Sequence, residues 1–78
     1  MKTKGIQNAI NRLAGARKLG SRTLMTQALQ EAEHIHNRAL EWLAHTPAPA
    51  AGERDDRYTA VAEITAKLEA ALEQARQT

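Results

Sequence analysis

The chain reads as an all-α protein: an antiparallel helical hairpin preceded by a short N-terminal helix, with two such chains pairing into a dimeric helical bundle. Three observations predict this. In two long segments the apolar residues recur at alternating steps of three and four, which is the period of one helix face. Strand formers are scarce, with one Val and four Ile and no sustained alternation of apolar and polar residues. Glycine and proline fall outside the two long segments and divide the chain into three parts.

The first part, residues 6–19 of a basic segment covering residues 1–20, is the least strongly patterned. Ile6, Ile10 and Leu13 lie at i, i+4 and i+7, and Ala9 and Ala14 can join them. Gly15 weakens the interior by up to about 1 kcal/mol relative to alanine. The expectation is a helix of a few turns that ends at Gly20 and leans its narrow apolar face on the hairpin or on a partner.

The second part, residues 22–45, is the clearest helix. Met25, Ala28, Ala32, Ile35, Ala39 and Trp42 form one stripe, and Leu24, Leu29, Leu40 and Leu43 widen it. The opposite face holds Gln27, Gln30, Glu31, Glu33, Asn37, Arg38 and Glu41. Ser21 or Thr23 can cap the start by accepting from an orphan N–H. Pro47 ends the helix by excluding Thr46 from the helical region.

Residues 46–53, with two prolines and one glycine, form a linker short enough to turn the chain back. The third part, residues 55–77, repeats the logic with Val61, Ile64, Leu68, Ala71 and Ala75, broadened by Tyr58 and Leu72. Asp55 and Asp56 suit the positive end of its dipole and Arg76 the negative end. The seam expected between the two long helices, or between two chains, is Met25, Ala28, Ala32, Ile35, Ala39 and Leu43 facing Val61, Ile64, Leu68 and Leu72.

Seventy-eight residues make one domain. A chain of this length buries only about 60% of its unfolded surface. Sixteen of its apolar residues are alanines, which contribute little area. A hairpin with Trp42, Leu40, Leu43 and Tyr58 near its linker end would expose an apolar patch, and such patches mark interfaces. That is the reason to expect a homodimer; the alternative is a monomeric three-helix bundle closed by the first helix. Cysteine is absent, so there is no disulfide and no thiolate metal site. No apolar run approaches a membrane span and no signal peptide is visible, so a soluble, cytoplasmic protein is expected.

Charge is unevenly distributed. Residues 1–22 hold Lys2, Lys4, Arg12, Arg17, Lys18 and Arg22 and no acid, while the remainder holds five basic and nine acidic side chains; the net charge is +2. A basic arm on an acidic body suits an acidic protein surface or nucleic-acid phosphates. It also suits a plain solvated helix face, or docking on acidic groups such as Glu31 or Glu63 of a second copy. The Leu19-Gly20-Ser21-Arg22 corner allows a helix-turn-helix. Glu31, Glu33 and Glu41 on the following helix would repel phosphate, and no aromatic residues interleave with the basic ones for base stacking. Nucleic acid is therefore the secondary expectation, through the N-terminal segment alone.

Catalytic and metal constellations are weak. His34 and His36 are two apart and point to different sides of a helix. Glu41 with His45 is half a metal site at most. Ser21 is the only serine, and no glycine-rich phosphate loop occurs. The expectation is a non-enzymatic protein without metal or cofactor. Its partner-binding residues are Lys2, Lys4, Arg12, Arg17, Lys18, Arg22 and Trp42, the last because tryptophan is enriched among interface hot spots.

The run His36-Asn37-Arg38-Ala39-Leu40-Glu41-Trp42-Leu43, followed by a Pro/Ala turn and an Ala/Glu-rich helix, resembles small phage-encoded helical inhibitor proteins of the anti-activator and anti-defence type. The resemblance covers the hairpin, about half of the chain. It implies a non-catalytic, often dimeric protein that acts by occupying a surface of a host protein. The basic N-terminal segment lies outside it.

Overall fold

A computed structural model describes residues 1–77. Three helices account for nearly all of them: α1 (Thr3–Leu19), α2 (Arg22–His45) and α3 (Asp56–Arg76). Among the described residues there is no strand. The molecule is a rod of 45 × 20 × 17 Å, and each helix packs against both others along the long axis.

α1 is longer than the spacing of Ile6, Ile10 and Leu13 predicts, starting at Thr3 rather than near Ile6. Local signals do not explain this. Its N-cap position is Lys2, which makes no side-chain cap bond, and the first turn holds no acid. Lys2 and Lys4 oppose the helix dipole there. The compensation is tertiary: Ile6, Ala9, Leu13 and Ala16 are buried against the other two helices. Met1 and Ile10 pack at the edge of the same cluster. Ala14, expected on the apolar face, is exposed, and Ala16 takes the buried place. The helix ends where Gly20 adopts a left-handed conformation, φ 67°, and its N–H reaches the carbonyls of Ala16 and Arg17 at 3.1 and 3.2 Å. Glycine takes that φ without steric cost.

Ser21 alone then caps α2, its hydroxyl accepting from the Leu24 N–H at 3.2 Å. The last turn closes with the Thr46 hydroxyl donating to the Trp42 carbonyl at 2.6 Å, before Pro47. α3 starts one residue later than the acidic pair predicts. Asp55 is not in the first turn but is the cap itself, accepting from the Tyr58 N–H at 3.0 Å. Asp56 occupies the first turn, and Gln77 is the C-cap.

Topology follows from which residues meet. Arg76 donates to Glu33 at 2.9 Å, while the Trp42 and Tyr58 rings lie 6.3 Å apart at the other end, so α2 and α3 are antiparallel. Arg12 pairs with Glu31 across α1 and α2, which are joined by the tight Gly20-Ser21 turn and are also antiparallel. α1 and α3 therefore run parallel.

The core is one cluster contributed by all three helices. Its largest fully buried side chains are Ile6, Leu68 and Leu72, and Val61 is fully buried outside that cluster. Of the expected seam, Ala28, Ala32, Ala39, Val61, Leu68 and Leu72 are buried, Met25, Ile35 and Ile64 are half-buried at the margin of the cluster, and Leu43 is half-buried. One expectation is corrected. Leu24 and Leu40 do not widen the buried stripe of α2; they are 43% and 45% exposed. Of the two supports expected for α1, the hairpin or a partner, the structure shows the hairpin: α1 packs on both long helices within one chain. Two helices of a bundle can each bury only a limited arc of a third, so side chains beyond those arcs stay in solvent.

Candidate interaction surface

The basic side chains of residues 1–22 all lie at the surface. On α1 the residues Lys4, Asn11 and Lys18 are seven apart and therefore share one face, opposite the buried Ile6, Ala9, Leu13 and Ala16. Gln7 and Ala14 flank this stripe. Arg12 and Arg17 stand on its two shoulders: Arg12 toward α2, where it meets Glu31, and Arg17 toward α3.

Ion pairing takes up little of this charge. Arg12 with Glu31 is the single ion pair of the segment among the described residues, and both partners are about half exposed (55% and 49%). Pairs of that kind contribute at most about 1 kcal/mol. Lys2, Lys4, Arg17, Lys18 and Arg22 have no acidic partner within 4.0 Å among the described residues. Within one chain, Arg12 is the residue of the segment that reaches Glu31.

Beyond the segment, α3 returns Arg76 to the end of the bundle where α1 stops and α2 starts. An open hollow there is lined by Arg17, Arg22 and Arg76 over Met25, Leu29 and Ala75. A second hollow runs up the α1–α3 flank, lined by Ile10, Ala14, Arg17, Lys18, Ala71 and others. Among the described residues no Asp or Glu lines either hollow. The sequence reading missed Asn11 and Gln7, although the seven-residue spacing from Lys4 to Lys18 would have found them. It also missed Arg76, Met25 and Leu29 as surface neighbours of Arg17, and no local signal marks that meeting.

Trp42, the expected aromatic anchor, is half-buried and tilted 35° against Tyr58 at the opposite end of the rod. The structure places it far from Arg17, Lys18 and Arg22, at the end of the rod where Lys2 and Lys4 line a hollow with Asp56 and Arg57. Leu43 is likewise half-buried, so of the apolar group expected at that end only Leu40 stands well exposed.

Among the described residues no three His, Asp or Glu side chains converge as metal ligands. His34 and His45 are exposed. His36 is half-buried, with its Nε2 atom enclosed and without a hydrogen-bond partner; the Thr65 hydroxyl on α3 is in the same state. No helix among the described residues is long and apolar enough to cross a membrane.

Fold and surface define a class: a small all-α three-helix bundle with a basic N-terminal helix on an otherwise acidic body. The chain matches no protein-family profile, no curated protein and no solved structure.

Proposed function

We propose that the protein is a non-catalytic binding module that inhibits or modulates another protein by covering an acidic part of its surface. One observation carries this reading. A helix anchored by Ile6, Ala9, Leu13 and Ala16 displays, with Lys2 and Arg22 just beyond its ends, five exposed cations that have no acidic partner among the described residues. Such charges are free to steer and orient a partner of opposite sign. The resemblance of the hairpin to small phage-encoded inhibitors points to the same mode of action by steric occupation.

Affinity capture from a lysate, with and without nuclease, tests it. A stoichiometric protein that survives nuclease, and is lost with the Arg17→Glu/Lys18→Glu double variant at unchanged helicity, is the expected result. Capture indifferent to that double variant removes the basic segment from the mechanism.

A nucleic-acid reading is favoured by one feature, the Gln7 and Asn11 side chains lying among Lys4 and Lys18 on a face without acids. It predicts capture that vanishes with nuclease and affinity that falls steeply with salt, as each neutralised phosphate releases counterions. Pairing of two chains belongs to the main proposal, with Leu19, Leu24 and Leu40 as the large apolar side chains left exposed to form it. A monomer mass in sedimentation equilibrium at micromolar concentration removes that part.

A further inference from the structure

We infer that the two hollows on either side of Arg17 form one docking groove for an acidic amphipathic helix of a partner protein. The inference rests on the protein-binding reading and names its recognition chemistry. The hollows measure about 490 and 740 Å³, and both are lined by Arg17 and Ala75, so they adjoin. Ile10, Ala14 and Ala71 line the first; Met25 and Leu29 line the second. Ile10, Met25, Leu29 and Ala71 are half-buried and belong to the margin of the core, so each hollow has a fixed apolar floor.

Four cations stand around these floors: Arg17, Lys18, Arg22 and Arg76. Arg76 gives one N–H to Glu33, and a guanidinium has further donors to offer. The occupant must therefore be acidic, and it must also be apolar on one side. A phosphate backbone would satisfy the cations but leave Ile10, Met25 and Leu29 against charge and sugar. A helix with apolar side chains at i, i+3, i+4 and i+7 and carboxylates beside them satisfies both. One apolar anchor enters each hollow, Arg17 and Arg22 take carboxylates in bidentate contact, and Lys18 adds a point charge at the edge.

Fluorescence anisotropy on the full chain tests the groove. The probe is a labelled synthetic peptide with leucines at helical spacing and glutamates elsewhere. Its comparators are the same composition with the leucines dispersed around the helix, a polyglutamate peptide, and a short DNA duplex. The amphipathic peptide should bind more tightly than all three. Arg17→Glu/Arg22→Glu should weaken it by about tenfold or more, as loss of close charge pairs does. Ala14→Trp, at an exposed position, should weaken it by filling the flank hollow without reversing any charge. Arg57→Glu, an exposed site at the far end of α3 from Arg76, should leave it nearly unchanged. Circular dichroism shows that each variant is folded.

Equal binding of polyglutamate or the dispersed peptide, or equal damage from Arg57→Glu, overturns the groove in favour of diffuse attraction. Tighter binding of the DNA overturns it in favour of a polyanion surface. Absence of peptide binding by the folded wild type also overturns it. In each case nuclease-resistant, Arg17/Lys18-dependent capture still stands or falls separately, so failure of the groove and failure of the protein-binding reading are distinguishable.

Discussion

Gly15 inside α1 and Gly20 at its C-cap respond oppositely to alanine. At Gly15 a methyl group would meet no atom within 4 Å, and the backbone is helical. Gly15→Ala should therefore stabilise by about 0.5–1 kcal/mol, chiefly by restricting the unfolded chain. At Gly20 the space is equally open, but φ is +67°, so alanine is strained there and should destabilise by about 1 kcal/mol. Urea midpoints of the two variants check the signs. Thr65 supplies another test. It is 4% exposed and its hydroxyl has no partner. Thr65→Val keeps the shape and removes an unsatisfied polar group, so a gain of about 1 kcal/mol is expected. A loss on urea unfolding would mean that the hydroxyl is hydrogen-bonded in solution. The caps at Ser21 and Asp55 were readable from residue type, because a cap is a contact across three residues. Choosing Ser21 over Thr23, or setting Asp55 as cap and Asp56 in the first turn, needed the backbone angles.

Among the helices, α1 shows most plainly how packing overrides local preference. It has two interior glycines, no side-chain cap and cations at its positive end, yet it forms 17 residues of helix. The stabilisation comes from burying Ile6 and Leu13, which are 0% and 3% exposed. Ile6→Ala should cost about 2–5 kcal/mol, a large part of the stability of so small a domain. Because Ile6 belongs to the cluster shared by all three helices, the loss should appear as one cooperative transition. Far-ultraviolet circular dichroism and Trp42 fluorescence should report the same lowered midpoint. A separate early phase in which a third of the helix signal melts while Trp42 is unchanged would show α1 to be peripheral. Asp55→Ala should cost about 1 kcal/mol through loss of the cap on α3, read in the same experiment.

Taken together as a bundle, the chain keeps its charge segregated. Six cations and no acid occupy residues 1–22, and the rest carries a surplus of acids. With so few close ion pairs, added salt should change folding stability little but should weaken binding to an acidic partner markedly. Melting curves and peptide anisotropy across a salt series check the two halves of that statement. Helix content, the two turns, the capping residue types and the basic segment were legible from residue order, because periodicity, capping and charge runs are properties of neighbours. The fate of Leu40, the choice of the hairpin rather than a partner as the support of α1, and the meeting of Arg17, Arg22 and Arg76 were not. Those depend on which arc of each helix the other two cover, and on α3 carrying Arg76 back to the start of α2. Residues more than fifty positions apart are brought together there by shared burial of Ile6, Leu68 and Leu72, a cooperative outcome that no local pattern encodes.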